Sequence, residues 1–228
     1  MPPYVQFIDT ETPSLASLLA GRGYSTMAMH AYERAGYNRV KVYDRFGFEV
    51  YKGIEDFDVD LDYARGYPTE EANYRQLISY FETVDEPTVV LFFGDHEPRL
   101  SNEFYSSWFT DENDLGLETT AQLHKTPFFI WGNYNLNTES IQKGSVVSLN
   151  YLSTVLFQTA GVQLSPYQEY LADLRMEHPV ITARYFTTAF GDRVGTVPSA
   201  FTDSIREYQW LQYNCVFDRA HRIPGFYS

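Results

Sequence analysis

The sequence predicts an α/β protein, in which helices alternate with strands. The clearest strand is the apolar run Val89–Phe93, bounded by Pro87 and Gly94, whose β-branched and aromatic residues are typical of a buried strand. A capped helical pattern over residues 12–23 runs directly into a strand pattern over residues 24–30. This alternation is typical of α/β sheets. The length of 228 residues suits one domain, spanning residues 1–228, with its own core.

The predicted helices before the central strand begin and end at residues suited to those positions. Thr12 is a good N-cap and Pro13 fits the first helical position. A short helix is predicted over residues 40–46, closed by Gly47. Thr69 caps the next helix, whose predicted apolar face consists of Tyr74, Leu77, Ile78 and Phe81.

The second half continues the alternation after a long loop, predicted over residues 99–124 with a short helix near residues 103–109. A buried strand is predicted over residues 126–132. A helix is predicted over residues 145–161; Ser148 caps it, and its core stripe consists of Leu149, Leu152, Val155 and Leu156. The remaining predicted elements are a helix over 165–175, a strand within 180–190 and a helix over 202–213.

Composition excludes several classes of protein. Hydrophobic residues make up 44% and aromatic residues 17% of the chain, which excludes a disordered protein. The formal net charge of -13 argues against nucleic-acid binding and against docking on an anionic membrane. A single cysteine, Cys215, allows neither an internal disulfide nor a cysteine-based zinc site. No apolar run approaches the ~20 residues of a membrane span, and the first residues do not form a signal peptide, so we expect a soluble chain.

A candidate metal pair follows the central strand directly. Asp95 and His96 stand at its carboxyl end, where ligands gather in α/β sheets. An oxygen and a nitrogen from neighbouring side chains suit one divalent cation. The alternative is a Gly-Asp turn with a surface histidine. His124, before the next strand, is a weaker candidate ligand.

A candidate anion site is suggested by two residues earlier in the chain. His30 ends a predicted strand, although a histidine that merely caps the strand also explains it. Arg39 lies near a helix start, where a cation is electrostatically disfavoured. An arginine kept there is consistent with binding an anion, and a solvated surface arginine is the alternative.

Several stretches taken together resemble the sulfatase-like catalytic domain of lipoteichoic acid synthases and related bacterial phosphoglycerol transferases, within the alkaline-phosphatase-like superfamily. The stretches are Pro13-Ser-Leu-Ala-Ser-Leu-Leu19, Gly23-Tyr-Ser-Thr26, His30, Gly36-Tyr-Asn-Arg39, Phe46-Gly-Phe48, Leu77-Ile-Ser-Tyr-Phe81, Glu86-Pro-Thr-Val-Val90, Phe93-Gly-Asp-His-Glu-Pro98, Lys125-Thr-Pro-Phe-Phe-Ile-Trp131 and Glu207-Tyr-Gln-Trp-Leu-Gln-Tyr-Asn214. The likeness covers most of the chain, and the Gly-Asp-His-Xaa-Pro element is its most specific part.

The resemblance implies an alkaline-phosphatase-like fold, an α/β/α sandwich around a mostly parallel sheet. It also implies a metal-dependent transfer of glycerol phosphate from a phosphatidylglycerol-type donor, with a threonine nucleophile. Asp95 and His96 match the family's metal pair, which binds one manganese or magnesium ion. His30 and Arg39 match positions that contact the glycerol phosphate, and Tyr37 replaces the family's usual tryptophan. Members of the family are located in the extracytoplasmic cell envelope, where the full-length proteins are membrane-anchored. The resemblance therefore implies a phosphoglycerol or envelope-glycan ligand.

Two departures from the family lower the expected activity. The family's threonine and a glutamate ligand precede the Pro-Ser-Leu helix, whereas here 12 residues precede Pro13. A further helix, and a strand ending in an Asn-His pair, are also missing after Tyr74. We therefore expect no catalytic nucleophile, a weakly bound cation and an incomplete sheet.

Three functions remain open from the sequence. The first is an impaired phosphoglycerol transferase, and the second is a non-catalytic module that binds a phosphopolyol or glycan through His30, Tyr37 and Arg39. The third is a hydrolase of sulfate or phosphate esters, which needs the same nucleophile. The sequence does not indicate an oligomeric state.

Overall fold

The computed structural model describes residues 6–64, 67–96, 101, 103–104, 107 and 117–227. Their helices and strands alternate, which confirms the α/β class. The chain divides into two compact units: one contains Met1–Glu86, Ser165–Tyr167 and Arg206–Ser228, and the other contains Pro87–Leu164 and Gln168–Ile205. A single domain over residues 1–228 stays a prediction. No helix in the described ranges is both long and apolar enough to cross a bilayer.

The first unit is built around a short parallel β-α-β arrangement. Its elements in chain order are α1 (Leu15–Ala20), β1 (Met27–Met29), α2 (Arg39–Arg45), β2 (Val50–Lys52), β3 (Tyr63–Ala64), β4 (Tyr67–Pro68) and α3 (Glu70–Phe81). Strands β1 and β2 are parallel, with Ala28 opposite Tyr51, and the backbone N–H of His30 extends the pairing by donating to Lys52 O at 3.0 Å. Helix α2 is the crossover between these strands.

The N-terminal helix begins later than predicted. Ser14, and not Thr12, is the N-cap: its hydroxyl accepts from the backbone N–H of Ser17 at 3.2 Å, and the Ser17 hydroxyl accepts from the N–H of Ser14 at 2.9 Å. This reciprocal pair is a capping box. The Thr12 hydroxyl instead donates to Thr10 O at 3.1 Å, so it is engaged in the preceding turn.

Helix α3 has the predicted position but a different buried face. Gln76 is 3% exposed, whereas Ile78 is 58% exposed. The Gln76 side-chain oxygen accepts from the backbone N–H of Asp58 at 2.7 Å, which satisfies a backbone donor of the acidic segment before the helix. A long-range hydrogen bond therefore selects the buried side, and hydrophobic periodicity does not reveal it.

The second unit contains the predicted central strand in a two-stranded sheet. Its elements are β5 (Val89–Phe93), α4 (Leu117–Leu123), β6 (Phe128–Gly132), α5 (Leu152–Ala160), most of α6 (Pro166–Glu177), β7 (Tyr185–Thr187) and β8 (Arg193–Gly195); α7 (Asp203–Val216) begins in this unit and continues in the first. Strand β5 pairs antiparallel with β6, with Leu91 opposite Ile130. The rings of Phe92 and Phe129 stack at 5.1 Å.

The predictions of a fully buried central strand and of a mostly parallel sheet differ from the described strands. Residues of β5 are half-buried and Phe93 is 46% exposed. Of the four two-stranded sheets among the described residues, β1–β2 is parallel and the others are antiparallel. An apolar run indicates that a strand is packed, but it carries no information on the direction of its partner. The predicted short helix near residues 103–109 lies largely outside the described residues.

The core of the second unit is formed by α5. Val155 and Phe157 are 0% and 1% exposed, and Gly161 ends the helix in the left-handed conformation at φ 72°. The predicted helical start is wrong in one respect: Leu149 is 61% exposed, and Tyr151 is fully buried in its place. A 3-10 turn over Leu149–Tyr151 precedes α5, and its tighter winding moves Tyr151 onto the core side.

His178 joins three segments of the second unit. Its ring is 2% exposed; Nδ1 lies 2.8 Å from Thr187 O, and Nε2 lies 3.1 Å from the hydroxyls of Thr202 and Ser204. The carbonyl can only accept, so Nδ1 donates to it, and Nε2 also lies 3.3 Å from Oε1 of Glu177. The Tyr151 hydroxyl donates to the backbone carbonyl of His178 at 2.9 Å.

We expect His178→Ala to lower the free energy of unfolding by about 2–4 kcal/mol, because it opens a cavity and leaves buried polar partners unpaired. Urea unfolding at pH 7 measures the change. His124→Ala is the matched control, since His124 is exposed and its removal should change stability by less than about 0.5 kcal/mol. Equal effects of the two substitutions would contradict this role of His178.

Tyr227 fastens the C-terminal segment of the first unit to α7. It is 8% exposed, and its hydroxyl donates to Leu211 O at 2.9 Å and to Asn214 Oδ1 at 3.0 Å. Burial raises the pKa of Tyr227 to about 12. The folded chain therefore holds this proton more tightly than the unfolded chain does, and the resulting stabilisation is complete below pH 10 and declines toward pH 12.

We expect wild type to exceed Tyr227→Phe in stability by about 1–2 kcal/mol at pH 8, with a smaller difference at pH 11.5. Denaturant unfolding at the two pH values measures it. Tyr63→Phe, at a tyrosine that is 60% exposed, should change stability little at pH 8. A Tyr227→Phe difference that grows with pH would show that the sign is wrong.

Candidate functional site

The predicted anion-site residues of the first unit are brought together around Tyr32. The His30 and Tyr32 rings meet edge to face at 6.4 Å. The guanidinium carbon of Arg39 lies 5.5 Å from the centre of the Tyr32 ring and 5.0 Å from that of Tyr37. The structure thus gathers His30, Tyr37 and Arg39 into one aromatic group, which we call the arginine–tyrosine site; it also includes Tyr32 and Tyr51.

Arg39 is buried, in contrast with the alternative of a solvated surface arginine. The residue is 8% exposed, and its Nη1 atom has no hydrogen-bond partner among the described residues. A buried guanidinium normally requires hydrogen-bond acceptors, because its desolvation is costly. Its two tyrosine faces supply cation–π attraction, which is worth about 2 kcal/mol when desolvated and does not satisfy the N–H donors. The arrangement is therefore suited to an anion.

The loop before Arg39 has a strained backbone. Tyr37 and Asn38 have φ values of 53° and 57°, the left-handed region that residues other than glycine rarely occupy. Asn38 precedes helix α2 without capping it through its side chain. Such strain persists only where surrounding contacts enforce it, and it concentrates at functional sites. Here it presents the Tyr37 ring, which is 54% exposed, over Arg39.

Gly36 is required for the close approach of this group. A Cβ atom at this position would lie 2.8 Å from Cδ1 of Tyr32 and 3.3 Å from Nη1 of Arg39. Tyr32 is further held by backbone bonds, since its N–H donates to His30 O at 2.8 Å and its carbonyl accepts from Ile54 at 3.0 Å. The missing side chain of Gly36 therefore lets Tyr32 and Arg39 pack together.

The Tyr51 hydroxyl is a member of the site that the sequence did not indicate. Tyr51 is 8% exposed, and its hydroxyl has no hydrogen-bond partner among the described residues. Burial raises the pKa of the Tyr51 phenol, and the positive charge of Arg39 is the largest opposing influence. The group is therefore a protonated donor at neutral pH. Tyr32 was also missed, because its role arises from packing between segments and not from a local pattern.

The predicted metal pair lies in the second unit, immediately after β5. The side chains of Asp95 and His96 turn toward each other, with Nε2 of His96 3.5 Å from Oδ2 of Asp95, and they are 57% and 77% exposed. The backbone N–H of His96 donates to Oδ1 of Asp95 at 2.9 Å. An adjacent carboxylate oxygen and imidazole nitrogen fit a divalent cation. Within the described part of the chain, no three acidic, histidine or cysteine side chains form a larger metal-binding group.

A polar cleft of about 370 Å³ is present elsewhere in the second unit. It is lined by Asn137, Glu139, Ser140, Gln158, Ala172, Arg175 and Met176. None of the predicted site residues lies in this cleft. Burial lowers the pKa of Arg175, which faces it.

Comparisons with known proteins place a sulfatase-like segment in the chain. Residues 72–162 match the sulfatase family model, and this segment includes Asp95 and His96. A Rhizobium meliloti (strain 1021) protein, provisionally named as a cyclic beta-1,2-glucan modification protein, is 22% identical over 300 aligned positions. The alignment covers 99% of this chain and 46% of that relative, so the chain spans less than half of the relative's length.

The same alignment bears on the expected internal gap. It extends over 300 positions although the chain has 228 residues, so the relative carries additional residues inside the aligned region. A solved structure, the lipoteichoic acid synthase LtaP from Listeria monocytogenes, is 18% identical with a TM-score of 0.41. That match covers 57% of this chain and 48% of the other. The family match over residues 72–162 supports the sulfatase-like resemblance for that segment.

Proposed function

From its sulfatase-like segment, we propose that this chain is the metal- and substrate-binding part of a metal-dependent phosphoglycerol transferase of the cell envelope. The observation that carries the proposal is the buried Arg39, whose Nη1 lacks a hydrogen-bond partner among the described residues, beside the exposed Tyr37 ring. Arginine recognises phosphate oxygens through a planar fork of donors. An aromatic face beside it suits the carbon skeleton of a glycerol or sugar.

Each residue of the site has a separate role in this proposal. Arg39 binds the phosphoryl group, Tyr37 covers the polyol, and His30 stands next to Tyr32 at the edge of the same group. Asp95 and His96 would hold one divalent cation, manganese or magnesium. When bound there, such an ion would supply Lewis-acid chemistry to the second unit. The pair is largely exposed, so two ligands with little enclosure predict weak binding.

The negative charge of the chain is compatible with a small phosphorylated ligand that binds at the enclosed Arg39 guanidinium. The net charge is -13, so a long-range field does not attract anions to the surface as a whole. Binding then depends on close contacts within the arginine–tyrosine site. These contacts favour a neutral polyol carrying one phosphate over a polyanion.

We expect Arg39→Gln to weaken binding of glycerol phosphate at least tenfold, because the charged donor to the phosphoryl oxygens is lost. Isothermal titration calorimetry with glycerol phosphate, inorganic phosphate and glycerol separates the contributions of the two halves of the ligand. Arg184→Gln, at an exposed arginine, is the matched control and should bind as wild type does. Equal affinity of the Arg39 and Arg184 variants would refute the proposal.

We expect His96→Ala to weaken binding of Mn²⁺ at least tenfold, since it removes the nitrogen ligand of the proposed pair. Electron paramagnetic resonance of free Mn²⁺ during a titration measures the affinity directly. His124→Ala controls for adventitious binding by an exposed histidine. Unchanged Mn²⁺ affinity in His96→Ala would remove the pair from the proposed site.

A non-catalytic module that binds a phosphopolyol or glycan is the second candidate. It is favoured by the same enclosed Arg39, which can bind a ligand without any reaction. The two candidates differ in turnover: release of glycerol phosphate from a phosphatidylglycerol analogue with Mn²⁺ present supports the transferase. Binding without turnover supports the module. A sulfate or phosphate ester hydrolase would instead release product to water from a simple ester.

A further inference from the structure

We propose that the Tyr51 hydroxyl is a second donor to the oxyanion bound by Arg39. This inference rests on the proposed function and extends it to a residue outside the predicted set. Tyr51 belongs to β2, whereas Arg39 begins α2. Two consecutive elements of the β-α-β arrangement would thus each supply one donor.

The geometry of α2 directs Arg39 toward β2. Arg39 and Tyr43 are four residues apart and therefore lie on one face of this helix. The Tyr43 and Tyr51 rings pack at 4.6 Å, so that face rests against β2. Among charged groups, Arg39 has the largest electrostatic influence on the Tyr51 phenol, ahead of Glu55 and Arg34.

Two unsatisfied donors in one small packed region are unusual. Tyr51 and Arg39 are each 8% exposed, and the Tyr51 hydroxyl and Arg39 Nη1 each have no hydrogen-bond partner among the described residues. Buried polar groups of folded proteins are nearly always paired, so each such exception calls for a ligand or a bound water. The Arg39 guanidinium is a donor only and the Tyr51 hydroxyl can donate its proton, so an oxyanion can accept from both.

The other charged groups around Tyr51 are already engaged. Arg34 pairs with Asp56 at 3.0 Å, and the backbone N–H of Arg34 donates to Glu55 at 3.0 Å. These acids are therefore occupied by Arg34. The Arg34 guanidinium lies 6.0 Å from the centre of the Tyr51 ring, but it is paired with Asp56, whereas Nη1 of Arg39 has no hydrogen-bond partner among the described residues.

Access to these donors requires displacement of Tyr37. Its ring lies 5.0 Å from the Arg39 guanidinium and is 54% exposed, so it covers the cation from the solvent side. When this ring turns outward, a phosphoryl oxygen can take its place against Arg39 and reach the Tyr51 hydroxyl.

Tyr51→Phe tests the inference because it removes one oxygen and keeps the ring that packs on Tyr43. We expect it to weaken glycerol phosphate binding about tenfold in calorimetry, while thermal stability is unchanged or increased, because an unpaired hydroxyl is removed. Tyr63→Phe, at an exposed tyrosine of the same unit, should change neither quantity. The phosphorus-31 chemical shift of bound glycerol phosphate should also differ between wild type and Tyr51→Phe.

The outcomes separate this inference from the proposed function. If binding is lost in Arg39→Gln but retained in Tyr51→Phe, the role of Tyr51 alone is overturned. The Tyr51 hydroxyl would then be hydrogen-bonded to a buried water. A less stable Tyr51→Phe chain with normal affinity shows a purely structural tyrosine and also overturns it. Absence of binding by wild type overturns the proposed function and this inference together.

Discussion

Burial of the Arg39 guanidinium among tyrosine rings is the constraint on which the first unit depends. The residue is 8% exposed at the start of α2, where the helix dipole disfavours a cation. Tyrosine faces on two sides offset part of the desolvation cost, but they leave Nη1 without an acceptor. The left-handed backbone at Tyr37 and the absence of a side chain at Gly36 both serve this arrangement. In the proposed function, this local loss of stability keeps the Arg39 guanidinium available for an anion.

The second unit contains a buried histidine whose two ring nitrogens both have hydrogen-bond partners. Its core helix α5 is almost completely buried, and the adjoining segments are joined by the His178 ring through hydrogen bonds to Thr187, Thr202 and Ser204. Every ring nitrogen there has a partner, in contrast with the unpaired donors of the arginine–tyrosine site. A satisfied buried network of this kind specifies how segments meet, whereas an unsatisfied one marks where a ligand can bind.

The sequence predicted the chemistry of the candidate site better than its surroundings. Arg39 stood out because its charge conflicts with a helix start, and Asp95 with His96 stood out because they follow an apolar strand. Local patterns of this kind survive without knowledge of the fold. Tyr32 and Tyr51 did not stand out, because their contacts join segments and a tyrosine in an aromatic-rich chain is not distinctive. Errors in the fold have the same origin: Gln76 is buried by a hydrogen bond to Asp58, and Leu149 is exposed because a 3-10 turn precedes α5.

The exposed Tyr37 ring has a kinetic consequence. A side chain that is more than half exposed changes rotamer within picoseconds to nanoseconds, whereas a loop that must open takes up to microseconds. The Tyr37 ring would therefore change its rotamer much faster than a ligand arrives by diffusion. The association rate would then follow ligand concentration and solvent viscosity, with no separate opening phase, even though the cation beneath is shielded from water.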